Sequence, residues 1–303
     1  MSVIASRRFR PTRYNPSGRR GFEEGVTDSR SRQQFADMLA GPDDAVDLAH
    51  AALLIACEEY PGLDVDRYVT RLDFLGGELE RRVSGASEPA AVVSAINRLL
   101  FEDEGFRGNT RDYYDPRNSF LNDVLDRRTG IPITLATVYM EVARRAGIAI
   151  DGVGLPGHFL VRLPLQQTDL LVDPFHGGAL LSVEDCQARL DRIYEGRVKL
   201  KASMLVACGR KEILARMLRN LKAIYAKADD YPRALRVVDL LLRVDPGNAQ
   251  ELRDRGLLYA GMDCYALAVA DLEGFLERAP GSPEAAALKE RIEALRRMAA
   301  RLN

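Results

Sequence analysis

The chain has 303 residues, 47% of them hydrophobic, and a formal net charge of -1, enough to build one large or two ordinary buried cores. The near-neutral total hides three unlike segments: residues 1–40 carry eight Arg against four acidic residues, 41–204 carry 18 basic against 26 acidic, and 205–303 carry 17 against 14. An acidic middle is a poor electrostatic match for a phosphate backbone, and no run approaches the roughly 18 apolar residues of a membrane span or forms a signal peptide, so neither nucleic acid, a spanning helix nor export is expected.

Residues 1–40 are Arg-rich with little periodic hydrophobicity and are read as a mobile basic arm. Order is expected from Pro42-Asp43-Asp44, where acidic residues precede the helical pattern Val46, Leu48, Ala49, Ala52, Leu53 and Ala56, closed by Pro61-Gly62. Further helical patterns run from Val65 to Val83 and from Pro89 to Phe101. Residues 102–120, EDEGFRGNTRDYYDPRNSF, form a long polar and aromatic connection of the kind that serves a site. Asn118 to Arg128 reads as a short helix. A longer, mostly buried one runs from Pro132 to Ala146, with proline at its start and Gly147 past its end. The period then changes, and Ile148–Val153, His158–Leu163 and Leu170–Val172 read as strands. Helices followed by a small antiparallel sheet predict an α+β domain over residues 41–205.

The last segment, 206–303, repeats at an offset of 34 residues. Tyr225 matches Tyr259, Tyr231 matches Tyr265, Ala234 matches Ala268 and Pro246 matches Pro280. The alanine lets two helices approach and the proline ends the second of each pair. Period and positions resemble the tetratricopeptide repeat; Gly256 fits its small position, whereas Lys222 departs from it. A final helix from Pro283 to Leu302 would cap this all-α stack, which either binds a protein or peptide partner or packs structurally against the first domain.

The four cysteines, Cys57, Cys186, Cys208 and Cys264, form no CxxC pair and no zinc-ligand spacing, and are read as buried small hydrophobes in a reduced, cytoplasmic compartment. Of three histidines, His50 lies in a helical pattern. His158 opens a strand in GLPGHFLVR, and Asp173 ends the next one in LLVDP, so a hairpin can set the carboxylate beside the imidazole. Candidate cleft residues are Asn109, Arg111, Tyr113, Tyr114, Arg117, Asn118, Arg162 and His176. The glycines and proline around His176 are expected to turn it away from Asp173, so no metal and no cofactor is expected.

The segments GIPITLATVYMEVARRAGI, GHFLVR and LLVDPF resemble the transglutaminase-like superfamily, over roughly residues 45–200, and the combination with repeats resembles a bacterial branch of it. That resemblance implies a papain-like fold with His158 as base and Asp173 as orienting acid. The family's cysteine opens the buried helix, and the matching position here is Pro132. Thr134 is the nearest hydroxyl and the candidate substitute nucleophile. Three readings follow: a non-catalytic interaction or regulatory protein with a degenerate cleft and peptide-binding repeats; a hydrolase or acyl transferase using His158 and Asp173 with Thr134 or water; and a purely structural repeat fusion.

Overall fold

The computed structural model describes residues 27–85, 88–166 and 169–301, in two compact units that meet in sequence between Met217 and Leu218. The first unit thus extends past the boundary expected at 205. Of the arm expected over 1–40, the structure describes residues from 27 on. Residues 27–39 form a helix, α1 (Thr27–Leu39), in which Phe35 and Leu39 are buried and Arg32 pairs with Glu58. The remainder of the proposed arm lies outside the described residues.

Helix α2 (Leu48–Ala56) starts where Asp47 accepts a hydrogen bond from the His50 amide, and every residue in it except His50 is buried. In α3 (Val65–Val83) the buried Tyr68, Leu72, Leu75, Gly76 and Leu79 trace one stripe, so this helix lies on the core with one face only. Helix α4 (Pro89–Asn97) continues into a wider π turn over Arg98–Asp103. The long 102–120 connection is ordered. Its strand β1 (Arg107–Gly108) pairs in parallel with β2 (Thr129–Gly130), which follows α5 (Leu121–Arg127). Helix α6 (Pro132–Arg145) is buried continuously from Pro132 to Ala143 and forms the centre of the unit, as its all-round apolar pattern predicts.

Five antiparallel strands complete the unit in the order β6-β5-β4-β3-β7: β3 (Asp151–Val153), β4 (Leu160–Leu163), β5 (Leu170–Asp173), β6 (Ala179–Leu181) and β7 (Ala207–Cys208). The outer two, too short to show an alternating pattern, were not expected. Between them lies α7 (Val183–Tyr194), opened by a reciprocal cap between Ser182 and Asp185. Cys186 and Leu190, one turn apart on α7, join Val153, Leu155, Leu160 and Leu171 in an apolar cluster.

Helix α8 (Arg210–Lys227) runs out of the first unit, and the second is built from its remainder with α9 (Tyr231–Val244), α10 (Ala249–Gly261), α11 (Tyr265–Arg278) and α12 (Ala285–Ala299). The 34-residue repeat is structural as well as sequential. Asp229 and Asp263 both take left-handed backbone conformations, and each accepts a hydrogen bond from the tyrosine two residues on, Tyr231 or Tyr265. Ala234 and Ala268 are fully buried. Gly256 is required by close approach: a Cβ there would stand 2.9 Å from Leu272 Cγ and 3.1 Å from the Ala268 carbonyl. Lys222, at the matching small position, instead reaches Glu251 (2.5 Å) and Asp254 (2.7 Å), two buried acids on α10. The departure from the repeat pattern is therefore paired with two buried acids.

Candidate functional site

Strands β4 and β5 pair with Val161 opposite Val172, a register that carries Asp173 to the same end of the hairpin as His158. The turn before β4 has Gly157 at φ +73° and is closed by His158 N–H donating to Leu155 O. Arg216 of α8 clamps it further, its guanidinium donating to the carbonyls of both Leu155 and His158. The backbone that carries the imidazole is thus held through both its N–H and its carbonyl. His158 Nε2 lies 3.0 Å from each Asp173 carboxylate oxygen, with 7% of the His158 side chain and none of the Asp173 side chain exposed.

Asp173 does more than orient His158. Its Oδ1 caps the single turn Pro174–His176 by accepting the Phe175 and His176 amides at 3.0 and 3.3 Å. That cap folds the chain back, so His176 Nδ1 lies 2.8 Å from Asp173 Oδ2 rather than turning away as expected. The turn is locked from behind, where Asn97 donates to the Gly178 carbonyl at 2.8 Å. Arg189 of α7 completes the cluster, its Nη1 in contact with Asp173 Oδ2, 2.9 Å from His158 Nε2 and 3.0 Å from His176 Nδ1.

Burial alone would raise the Asp173 pKa, but the hydrogen bond from His158 and the charges of His158, Arg189 and His176 outweigh it and hold the carboxyl below its usual range. For His158 burial is the larger influence and depresses the imidazole below its ordinary value despite the carboxylate. A neutral ring donating from Nε2 to Asp173 keeps its lone pair on Nδ1, and among the described residues no hydrogen bond reaches that nitrogen.

The nucleophile is missing. Pro132 occupies the first position of α6. Thr134, the candidate substitute, is fully buried; its hydroxyl lies 2.7 Å from the Asn118 carbonyl and 3.1 Å from that of Ile131, and it accepts the Ile131 amide. It ties the helix start to the preceding loop, and no described hydrogen bond joins it to His158. No cysteine belongs to the cluster. Cys186, on the same helix as Arg189, sits in the apolar cluster, where burial raises its thiol pKa.

The cleft candidates divide. Asn118 is buried and donates to the carbonyls of Asp112 and Tyr113, and Asn109 donates to Asn118 and accepts the Arg111 and Asp112 amides. Both shape the loop and have their polar groups committed. Arg117 pairs with Asp115, and Arg162 with Asp151 across the sheet and with Asp169. Tyr113 does reach the site: its ring packs edge-on against Phe175, 6.2 Å between centroids, and Phe175 packs edge-on against His158 at 6.0 Å. Tyr114 packs on Tyr113 with 61% of its surface exposed. Arg189, Arg216 and Phe175 were missed by the sequence reading. Phe175 adjoins the motif, but the two arginines come from elements with no catalytic signature.

Fold and site together define a papain-like α+β domain that sets a buried histidine beside a buried carboxylate with no cysteine in the cluster, followed by helical repeats. The chain belongs to the transglutaminase-like superfamily, whose model matches residues 66–219, in the branch of bacterial UPF0162 proteins that carry tetratricopeptide repeats, matched here over 221–293. A UPF0162 protein of Xylella fastidiosa (strain Temecula1 / ATCC 700964) is 42% identical over 243 residues, 79% of this chain and 86% of that one. UPF0162 protein PA3419 of Pseudomonas aeruginosa is 34% identical over 266 residues, covering 86% and 94%. Similarity extends to mouse F-box only protein 21, 29% identical over 241 residues that make up 74% of this chain and 37% of that protein. No solved structure matches. Among the described residues no helix is long and apolar enough to cross a membrane.

Proposed function

We propose that this chain is a cytoplasmic, non-catalytic interaction protein. The transglutaminase-like cleft binds a peptide or small polar ligand without acyl transfer, and the repeats recruit a protein partner. The observation that carries this reading is the start of α6. Proline stands where the family's thiol belongs, and the nearest hydroxyl is bonded to backbone carbonyls. A covalent acyl intermediate needs an activated nucleophile beside the base, and here the base has none.

The second reading, a hydrolase in which His158 activates water, is favoured by the Nδ1 that no described hydrogen bond reaches. The two are separated by incubating the full chain with a glutaminyl peptide plus a primary amine, and separately with an activated ester, beside His158→Gln. The interaction reading expects release of ammonia or of the ester's leaving group at the buffer rate in both proteins. Turnover that is saturable and lost in His158→Gln would replace it with the hydrolase.

A further inference from the structure

Two imidazole nitrogens and a carboxylate oxygen, on His158, His176 and Asp173, converge within 4.8 Å of one another. Two histidines and one carboxylate are a donor set suited to zinc, cobalt or non-haem iron. In this chain a cation of another kind stands among them. Arg189 Nη1 touches Asp173 Oδ2 and lies 2.9 Å from His158 Nε2 and 3.0 Å from His176 Nδ1, so one guanidinium nitrogen contacts every member of the set. We propose that Arg189 is the resident cation of this cluster, and that it and a divalent transition metal are mutually exclusive occupants of one position.

The geometry supports a latent site rather than a surface ion pair. The carboxylate lies 3.0 Å from His158 Nε2 and 2.8 Å from His176 Nδ1. Ligand atoms around a tetrahedral zinc stand about 3.3 Å apart, given metal–nitrogen bonds of about 2.0 Å, so the two separations from the carboxylate are within a few tenths of an ångström of ligating ones, and the two imidazole nitrogens, within 4.8 Å of each other, need only close on a shared ion. The ligands come from rigid positions: His158 from the clamped turn, Asp173 from a strand end, and His176 from the turn that Asp173 caps. Helix α7 delivers the arginine, because Cys186 and Leu190 anchor its apolar face and leave Arg189 directed at the carboxylate. A guanidinium carries its charge at every ordinary pH and presents its donors in a fixed plane. It therefore neutralises Asp173 permanently, where a metal would do so only when supplied. For a metal to enter, Arg189 must leave and the Nε2 proton of His158 must pass to Nδ1.

The test uses the full chain, stripped with chelator and dialysed, and titrated with Co²⁺ while the visible ligand-field absorption is recorded. The wild-type chain and Arg189→Lys, which keeps the cation, are expected to show no band dependent on His176. Arg189→Met is expected to bind one equivalent of Co²⁺, with affinity at least about 100-fold above wild type, the upper range for a change beside a metal, and to lose the band when His176→Ala is added. If Arg189→Met is unfolded alone, recovery of its native circular dichroism with Zn²⁺ supports the proposal equally. The proposal is overturned if wild type binds Co²⁺ through His176 as tightly as Arg189→Met. It is also overturned if folded Arg189→Met shows no such band, or if unfolded Arg189→Met is not rescued by Zn²⁺.

Discussion

In the repeat unit, Lys222 bonds Glu251 and Asp254, Arg219 adds a second cation to Glu251 at 3.1 Å, and Arg253 adds one to Asp254 at 2.8 Å. In the first unit the polarity is reversed: a single carboxylate, Asp173, receives His158, His176, Arg189 and two backbone amides. The acids of both networks are buried, but the networks differ in redundancy. Each repeat acid has two cationic partners, so losing one leaves it paired. Every donor in the His158 cluster depends on one side chain, and its loss strands all of them at once. A network spread over adjacent repeats tolerates drift, whereas one centred on a unique residue is vulnerable at that residue.

The largest effect is therefore expected from Asp173→Ala. Removing the shared acceptor leaves the Arg189 charge buried without its counter-ion, a loss of about 3–5 kcal/mol in urea unfolding followed by circular dichroism. Asp173→Asn retains one acceptor oxygen and should lose less. A loss below about 1 kcal/mol in the alanine variant would contradict a cluster hung on a single carboxylate.

Lys222→Gly tests the other side. Glycine is what the repeat pattern favours at this small position, and a pattern-based argument predicts stabilisation. The structure predicts a loss of about 1–3 kcal/mol, because Glu251 and Asp254 each lose a buried partner while Arg219 and Arg253 partly compensate. Glycine within a helix adds to that loss, so Lys222→Met separates the two contributions. Any gain in stability from either variant would reject the pairing account.

Acid should distinguish the networks through two displaced titrations within the His158 cluster. Both His158 and Asp173 have folded-state pKa values below their ordinary ones. The folded state then binds protons less readily than the unfolded chain, so stability is complete above the unfolded values and declines as pH falls towards the folded ones. Two acid limbs are expected in the urea midpoint, one beginning near the ordinary imidazole value of about 6.5 and one near the ordinary carboxyl value of about 3.9. His158→Gln should remove the upper limb and leave the lower one, a smaller change than the loss of either buried ion pair. A midpoint whose pH profile between about 7 and about 5 is the same in both proteins would show that His158 is not linked to folding.

The same contrast explains what could be read from the chain. The repeats were legible because their determinants recur: tyrosine, alanine and proline return after 34 residues, each fixing a turn or a close approach. His158 and Asp173 were legible because strand ends flank them in short apolar runs. Arg189 and Arg216 were not, since each lies in an ordinary amphipathic helix and acquires its role only when tertiary packing sets that helix beside the strands. His176 was misread because local glycines and proline suggested a turn outward. The carboxylate of Asp173, by capping that turn, directs it inward. Thr134 is a candidate nucleophile only as the nearest hydroxyl in sequence, with a cap or packing role as the alternative, and in the structure its hydroxyl bonds backbone carbonyls at the helix start.

The smallest effect on stability and the most direct test of the missing chemistry is Pro132→Cys. Proline is favourable at the first helical position but makes no hydrogen bond there, so the exchange should alter stability by less than about 1 kcal/mol. The new thiol would sit at the N-terminus of a buried helix, where unpaired amides stabilise a thiolate. The native thiols offer a built-in reference, since burial pushes Cys57 up to about 11 and raises Cys186 and Cys208 as well. If α6 still presents this position to His158, iodoacetamide should modify the introduced thiol faster than any native cysteine, with a rate whose pH midpoint rises when His158→Gln is added. Rapid alkylation indifferent to His158 would mean that the helix end alone activates the thiol and that the base faces elsewhere. Alkylation no faster than that of the native cysteines would mean that the site has closed over its former nucleophile position, and that the His158–Asp173 pair survives for the turn and helix it holds in place.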